Sequence, residues 1–404
     1  ISGESAFPLG PLDPTAAVEL FQARVLVPID GDPDTSGVVE AICRRLDFLP
    51  LALELAAARA QHLRLDELLD RLVDRFNVLA DGRRDAPAHQ RSLEAVAAWS
   101  YGLLGEREQV VFERLSVFTD GATLDAATAV CADDRMAGAE VEALLVRLVD
   151  KSLVVADRSG AVTRYRMLQT LADFAAARLV DRGTDLEARR AHAHWVRALA
   201  AMVGWRARIS GRTVARIHDE DAAVRDAVMW AWAHDPVLAL GICEDLAAYW
   251  FGAMRVSTGW ELLRGSIAAA GDRDPARRAS ALGWAVVFAT LVQETGLADV
   301  LADEAWAFES AGDDPERIGR LSLLRALAAG YRADGDLARW VASARSSLAA
   351  IDVPVASGHL SFAEGAGRLV AGELEAAAEH LGDAIEVFRR EEDHLGLVLA
   401  VSRL

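Results

Sequence analysis

The stretch LVVADRSGAVTRYRM, residues 153–167, decides the fold of this chain. Its first run, LVVA, and its last run, VTRYRM, are rich in β-branched and aromatic residues, and a Ser-Gly pair lies between them. This pattern predicts a β-hairpin, because the last run also alternates. Apolar residues recur at helical spacing around it, in predicted helices over 92–104, 106–118, 124–131, 140–149 and 168–179. Three helices and a hairpin make a winged helix.

Only helices are predicted outside this winged helix. Upstream, a helix over 15–25 can be capped by Asp13, and Pro14 suits its first position. Further helices are predicted over 38–46, 51–61 and 65–76, and the polar stretch 81–90 is typical of a linker. From about residue 186 onward the pattern is helical throughout. The fold class is therefore mainly α.

Weak repeats mark the last part of the chain. Gly335 and Gly372 open Gly-x-Leu segments, Gly296 opens a similar one, and the three starts are spaced by 39 and 37 residues. Small residues at set distances after the Gly are typical of tetratricopeptide-type (TPR-like) helix pairs, although Trp340 takes one such position. We predict a curved α-solenoid with an extended concave surface, in which each pair contacts mainly its neighbours. Irregular helical hairpins are the alternative.

The last predicted helix pair offers a specific test of this register. Leu374 and Ile385 are expected in its core, and Ala377 and Ala384 at the closest contact between its helices. The pair would be followed by one further helix that begins shortly before the last residue, Leu404.

Composition excludes several classes of function. The 404 residues are 52% hydrophobic and carry a net charge of −18 without a basic patch, which disfavours nucleic-acid binding by this chain. Cys43, Cys131 and Cys243 are isolated, which excludes a disulfide framework and a CxxC site and fits a cytoplasmic protein. No window approaches 18 uncharged apolar residues, so no membrane span is expected.

No catalytic motif is present. Lys151 is the only lysine and has no glycine near it, so the chain carries no Walker A lysine. The acidic stretch 217–221 follows residues too polar for the buried strand of a Walker B motif. His192 and His194 would point to different helix faces, and we expect solvated histidines and no metal site. The chain is not expected to be an enzyme, and a hydrolase is the least favoured class.

Residues 49–59, LPLALELAAAR, resemble a segment of the STAND-class (NB-ARC-like) signalling ATPases. The chain is similar, more narrowly, to actinobacterial LuxR-type and AfsR-like transcriptional regulators, some of which are fused to class III adenylate cyclases. Further matching segments follow in the same order: WSY (99–101), LSVF (115–118), LVDKSLV (148–154), RYRML (164–168), WF (250–251) and GWELL (259–263).

The resemblance implies an order of domains. Residues 1–27 would be the C-terminal edge of the nucleotide-binding core, 28–80 a helical (lid) domain, 81–185 the winged helix and 186–404 the TPR-like repeats. The Walker motifs would precede Ile1, and a helix-turn-helix or cyclase module would also lie outside the chain. The full-length protein would bind ATP or ADP with Mg, and could be an ATPase, whereas this chain alone would hold no cofactor.

The resemblance also implies candidate site residues. Pro50 stands at the family's proline that packs near the adenine, so Leu49, Pro50 and Leu51 are expected adenine-side contacts; a simple helix break is the alternative. Phe48 replaces the family's usual Gly, which affects the backbone there. Met167, Leu168 and Gln169 match the Met-His-Asp sensor of plant and animal relatives, so the phosphate-reading His is absent.

These implications lead to a functional hypothesis. The chain would be the regulatory portion of an ATP/ADP-switched signalling protein that regulates transcription. Its winged helix would clamp the nucleotide-bound closed state, and its repeats would bind a protein or peptide partner. DNA reading by the third helix is disfavoured because Glu140 and Glu142 would repel phosphates. We expect DNA contact only through a module outside the chain, no membrane partner, and oligomerisation on activation. An autonomous TPR-like scaffold without a nucleotide role is the alternative.

Overall fold

In the computed structural model, most of the described residues are helical. It describes residues 11–25, 33–46, 48, 50, 53, 56–57, 60, 64–71, 97–98, 101–102, 104–151, 153–205, 207, 209–309, 314–332, 335–349, 351, 353 and 355–404. The chain divides into two compact units, Ile1–Ala188 and Arg189–Leu404. None of the described helices is long and apolar enough to cross a membrane.

The first core of the N-terminal unit is formed by three helices with described bounds, together with Leu53, Ala56, Ala57 and Ala60. The three helices are α1 (Pro14–Arg24), α2 (Pro33–Arg45) and α3 (Leu65–Arg71). The predicted cap is confirmed, because the Asp13 carboxylate accepts the backbone N–H groups of Thr15 and Ala16 at 3.0 Å. Phe21, Ile42 and other apolar residues of α1 and α2 are fully buried in this core. The predicted linker over 81–90 lies outside the described residues.

The winged helix follows in the same unit. It consists of α4 (Glu106–Leu115), α5 (Leu124–Cys131), α6 (Gly138–Asp150), β1 (Val155–Asp157), β2 (Arg164–Arg166) and α7 (Gln169–Arg182). The strands are antiparallel, with Val155 opposite Arg166, and Ala122 pairs with Tyr165 on the other side of β2. The predicted core face of α6 is confirmed, because Val141, Leu144, Leu145 and Leu148 are buried.

The C-terminal unit is a helical array. It begins within α8 (Asp185–Ala200), which is followed by a short 3₁₀ turn (Ala201–Val203), α9 (Gly211–Asp219) and α10 (Asp221–His234). Four helix pairs come next: α11 (Pro236–Gly252) with α12 (Val256–Ala270), α13 (Pro275–Leu291) with α14 (Thr295–Glu309), α15 (Pro315–Arg332) with α16 (Leu337–Leu348), and α17 (Ala356–Val370) with α18 (Leu374–Arg390). The last helix is α19 (His394–Val401). The mainly α fold class is confirmed.

The turns within the pairs reveal the true register of the repeat. Met254, Gln293 and Gly372 each adopt a positive φ, of 57°, 66° and 80°, two residues before the second helix of a pair. The next residue's N–H then bonds back five residues, for example from Glu294 to Ala289 at 2.8 Å. The predicted start at Gly296 was wrong by three residues, because Gln293 is the structural equivalent of Gly372 and Gly296 lies inside α14.

Of the two residues predicted in the core of the last pair, the structure confirms Ile385 and contradicts Leu374. Ala377, Ala384 and Ile385 are buried. Leu374 is 67% exposed, because it is the first residue of α18 and lies outside the face that packs on the array.

Replacing Gln293 by glycine should stabilise the array. A side chain at a left-handed φ destabilises the folded state by roughly 1 kcal/mol, and glycine removes this strain. Glycine also gives the unfolded chain more conformational freedom, which offsets part of the gain. We expect the free energy of unfolding to rise by about 0.5–1 kcal/mol, measured by urea denaturation. Gly372→Ala is the matched reverse change and should lower it. A Gln293→Gly variant less stable than the wild type would contradict this account of the turn.

Some contacts in the array join helices that are far apart in the chain. The last helix, α19, packs against α9 and α11 as well as against α17 and α18. The N–H of His394 donates to the carbonyl of Ile209 at 3.0 Å, and a Cβ added to Gly252 of α11 would lie 2.8 Å from Leu395. The helix pairs contact mainly their neighbours, as predicted, but the last helix also packs against the first helices of the array.

Candidate functional site

The predicted adenine-side residues are only partly described. Pro50 is helical and exposed, whereas Leu49 and Leu51 lie outside the described residues. Phe48, two residues earlier, has a φ of 54°, its N–H donates to the carbonyl of Cys43 at 3.1 Å, and its carbonyl accepts from Leu12 at 3.0 Å. Phe48 therefore ends α2 in a left-handed conformation, the backbone state in which glycine is least strained.

Phe48 also lines a cavity of about 350 Å³ between α1 and α2. Pro14, Val18 and Phe48 give it an apolar surface. Glu19, Glu40 and Arg44 supply the polar groups. A flat ring could stack against Phe48 in such a cavity, whose size is in the usual range for ligand sites. Pro50 is not among the residues that line this cavity, and of the residues singled out around it from the sequence only Phe48 is.

The outward face of α6, the third helix of the winged helix, is acidic and apolar. Glu142, Val146 and Asp150 are exposed, with Val146 at 51%. Arg147 is the only basic residue of the helix. At the start of the helix, Glu140 pairs with Arg107 of α4. A recognition helix that reads DNA needs basic and amide side chains facing the groove, and α6 lacks this arrangement.

We expect that the chain will not bind duplex DNA in a sequence-specific way. The carboxylates on α6 and the net charge of −18 both repel phosphates. An electrophoretic mobility shift assay with a pool of random duplexes, followed by competition at rising salt, measures this. A shift that resists salt and depends on sequence would overturn the expectation.

Ion pairs with buried carboxylates connect the helices of the winged helix to one another. Glu113 of α4 is 1% exposed, accepts two bonds from Arg182 of α7, at 2.5 and 2.8 Å, and accepts the hydroxyl of Tyr101. Burial, together with Glu113, raises the pKa of Tyr101. Lys151, the only lysine, pairs with Glu108 at 2.7 Å, and this bond holds the pKa of Glu108 below its ordinary value.

The sensor positions Met167, Leu168 and Gln169 carry no histidine. Leu168 precedes the first residue of α7, and the Gln169 amide donates to Asp173 of the same helix at 2.8 Å. A polar cavity of about 610 Å³ lies elsewhere in this unit, against Arg114 and Arg182. Arg114 is already paired with Asp133 at 3.0 Å and bonds to the carbonyl of Cys131, so its charge is matched.

The array contains a buried charge cluster that sequence reasoning missed. Glu244 of α11 is 6% exposed, and its carboxylate accepts Arg277 at 2.7 Å, Ser280 at 2.9 Å and Arg320 at 2.5 Å. The neighbouring Asp245 pairs with Arg197, yet burial raises its pKa. The partners come from α8, α13 and α15, so no local pattern could have identified them.

Two further expectations concern histidines and metals. Among the described residues, no group of three or more His, Cys, Asp or Glu side chains is placed to hold a metal ion. His192 is not solvated as predicted: it is 3% exposed and stacked on Trp195 with ring centroids 5.9 Å apart. Burial lowers its pKa to about 4. The prediction was wrong because His192 lies among the buried residues of α8.

Comparison with known proteins identifies relatives along nearly the whole chain. No family model matches. The chain is 33% identical over 410 aligned residues to proteins of Mycobacterium tuberculosis and Mycobacterium bovis named "Putative HTH-type transcriptional regulator", and the match covers 96% of the chain and 46% of each relative. An "Uncharacterized protein" of M. tuberculosis is 37% identical over 188 residues, 45% of the chain and 48% of the relative. The chain thus spans about half the length of the curated relatives it matches.

One solved structure also aligns with the chain. It is a STAND protein with a tetratricopeptide repeat sensor from Pyrococcus horikoshii, with a TM-score of 0.41 and 12% identity, over 98% of this chain and 56% of that one.

Proposed function

Because the chain is similar over 96% of its length to mycobacterial proteins named as HTH-type transcriptional regulators, we propose that it is the regulatory portion of such a regulator. We place it in the LuxR-type group of the STAND (NB-ARC-like) class, switched by ATP and ADP in the cytoplasm. In this proposal a nucleotide-binding core and a DNA-binding helix-turn-helix belong to the longer protein. The chain itself supplies the lid, the winged helix and the helical array.

The winged helix acts as a clamp in this scheme. Its third helix presents carboxylates and Val146 instead of a basic face, which suits contact with protein better than contact with DNA. The buried pairing of Glu113 with Arg182 ties α4 to α7, so the unit can move as one body. Lys151 serves this internal structure through Glu108, and we propose that the chain alone does not hydrolyse ATP.

The nucleotide side of the proposal rests on the α1–α2 cavity. Phe48 and Pro14 would offer an apolar surface to the adenine, and Mg with the phosphates would be held by residues outside this chain. The test is an ADP-binding titration on the longer protein with and without a substituted P-loop lysine. Binding that is lost with this lysine supports nucleotide switching. No binding by either protein would favour the autonomous TPR-like scaffold.

Replacing Pro50 by alanine should weaken ADP retention by the longer protein and leave the fold intact. Alanine allows the following helix to extend backward, which shifts the exposed surface that Pro50 presents. The ADP affinity and the melting temperature should be measured together. If Pro50 is only a helix break, the affinity stays within about twofold, or about 0.4 kcal/mol, of the wild type.

A further inference from the structure

The second and third helix pairs enclose a groove that the proposed switch does not use. It lies between α14 and α16, with α15 as its floor, and has a volume of about 430 Å³. We call it the Trp groove, after the two tryptophans that line it together with small residues of α15. Its principal residues are Asp299, Asp303, Trp306, Arg325, Arg339 and Trp340.

The two tryptophans already hold guanidinium groups. Arg325 lies 5.2 Å from the ring centre of Trp306 and 4.4 Å from that of Trp340, and Arg339 lies 4.8 Å from that of Trp340. The two rings are 5.5 Å apart in an edge-to-face arrangement. Trp340 is 8% exposed, whereas Trp306 is 37% exposed. Trp306 therefore offers indole surface to a further cation.

Carboxylates accompany this exposed ring. Asp299, Asp303 and Trp306 follow one another at spacings of four and three residues, which places them on one face of α14. The helix carries four acidic residues and no basic one. Asp299 pairs with Arg332 at 2.6 Å, whereas Asp303 is exposed and has no ion-pair partner within the described part of the chain.

We propose that the Trp groove binds an arginine side chain from a segment of a partner protein. The guanidinium stacks on the exposed ring of Trp306 and pairs with Asp303. Arginine fits better than lysine because its planar group stacks on indole and bonds a carboxylate through two N–H groups. The inference rests on the proposed function in one respect, namely that the array binds a partner.

An acidic partner fits this groove less well. Its carboxylate would meet Asp303 and Asp299 on the α14 wall, and two of the three arginines that line the groove already have oxygen partners. Arg332 is paired with Asp299, and Arg325 donates to the carbonyl of Ala302 at 2.5 Å in addition to its contacts with the rings. The net charge of −18 also favours encounter with a basic segment.

The test uses the full 404-residue chain and short fluorescein-labelled peptides. The peptides are identical except at two central positions, which carry Arg, Lys, Gln or Glu. Fluorescence anisotropy is measured without nucleotide at about 0.1 M salt, so the result does not depend on the proposed switch. We expect the affinity to fall in the order Arg, Lys, Gln, Glu. The Arg peptide should bind about tenfold more tightly than the Gln peptide.

Substitutions locate the binding site. Trp306→Ala and Asp303→Asn should each weaken binding of the Arg peptide about fivefold or more, and Trp306→Phe should retain part of it. Asp383→Asn removes another exposed carboxylate, on α18, and should have no effect. Asp303 is at the surface, so its variant reports on binding even if Trp306→Ala impairs folding.

Three outcomes would overturn the proposal. They are preferential binding of the Glu peptide, Arg-peptide binding that neither Trp306→Ala nor Asp303→Asn weakens, and no detectable binding of the Arg peptide. If the array binds its partner at another site, the Arg peptide will bind but neither substitution will weaken it. The expected result does not require nucleotide switching, so the two proposals can fail separately.

Discussion

The Glu244→Ala variant should unfold far more easily than the wild-type chain. Glu244 is nearly inaccessible to water, and Arg277, Ser280 and Arg320 all bond to its carboxylate. Its removal leaves two guanidinium groups without their shared counter-ion and a hydroxyl without its acceptor. Breaking a buried ion pair from one side costs about 3–5 kcal/mol, and we expect a loss of this size in the free energy of unfolding.

Urea denaturation of the C-terminal unit followed by circular dichroism measures this loss. Glu244→Gln keeps the size and part of the hydrogen bonding of the side chain, so it should lose less. The matched control is Glu261→Ala, because Glu261 is 63% exposed and its nearest contact with Arg225 is 3.8 Å. Such a surface pair contributes at most about 1 kcal/mol. A loss for Glu244→Ala no larger than that of the control would show that the cluster contributes nothing net.

Acid should destabilise the array through His192. Burial, with a smaller effect of Arg189, lowers the pKa of His192 from 6.5 to about 4 in the folded chain. Between these two values the unfolded chain binds a proton on this side chain and the folded chain does not, so stability falls as the pH falls. This contribution to the free energy of unfolding is about 3 kcal/mol. It is fully present above pH 6.5 and is lost by about pH 4.

The contribution of His192 can be separated from that of the many carboxylates by a His192→Phe variant. Phenylalanine fills a similar volume beside Trp195 and has no proton to bind. The free energy of unfolding should be measured for both proteins from neutral pH to about pH 4. The wild type should lose more stability than the variant over this range. Parallel curves would mean that His192 is protonated in the folded chain or does not contribute.

The winged helix could be predicted in detail because its signals are local. The helix over 124–131 was predicted with both ends correct, and the hairpin over 153–167 contains β1 and β2. The apolar stripe of α6 identified its buried face, since helical spacing alone determines which side chains share a face. These signals need only a few neighbouring residues, so a single sequence contains them.

The array could be predicted only in outline. Its helices follow from periodicity, but its register was misjudged because a glycine was taken as the turn signal. The structure places Met254 and Gln293 in the left-handed position that Gly372 occupies in the last pair. Tertiary packing overrides local preference there, and the sequence gives no sign of it. The partners of Glu244 depend in the same way on helices far apart in the chain.

The candidate site was predicted in part. The unusual residue at position 48 was recognised, and its left-handed φ agrees with the glycine of the family it resembles. The α1 wall of the cavity and the Trp groove were not predicted. Cation–π contacts between Arg325, Trp306 and Trp340 join residues from three helices, and such contacts have no short-range signature.

The contact of α19 with α9 and α11 has a consequence for the order in which the array is made. Ile209 and Gly252 leave the ribosome long before His394 and Leu395, their partners in the folded array. Contacts between residues so distant in the chain slow folding, because a long segment must be ordered before they form. During synthesis the earlier helices can pack pair by pair, while the surface around Gly252 stays uncovered until α19 emerges. Completion of the array is thus a late event, and nascent chains expose this surface to chaperones until α19 has emerged.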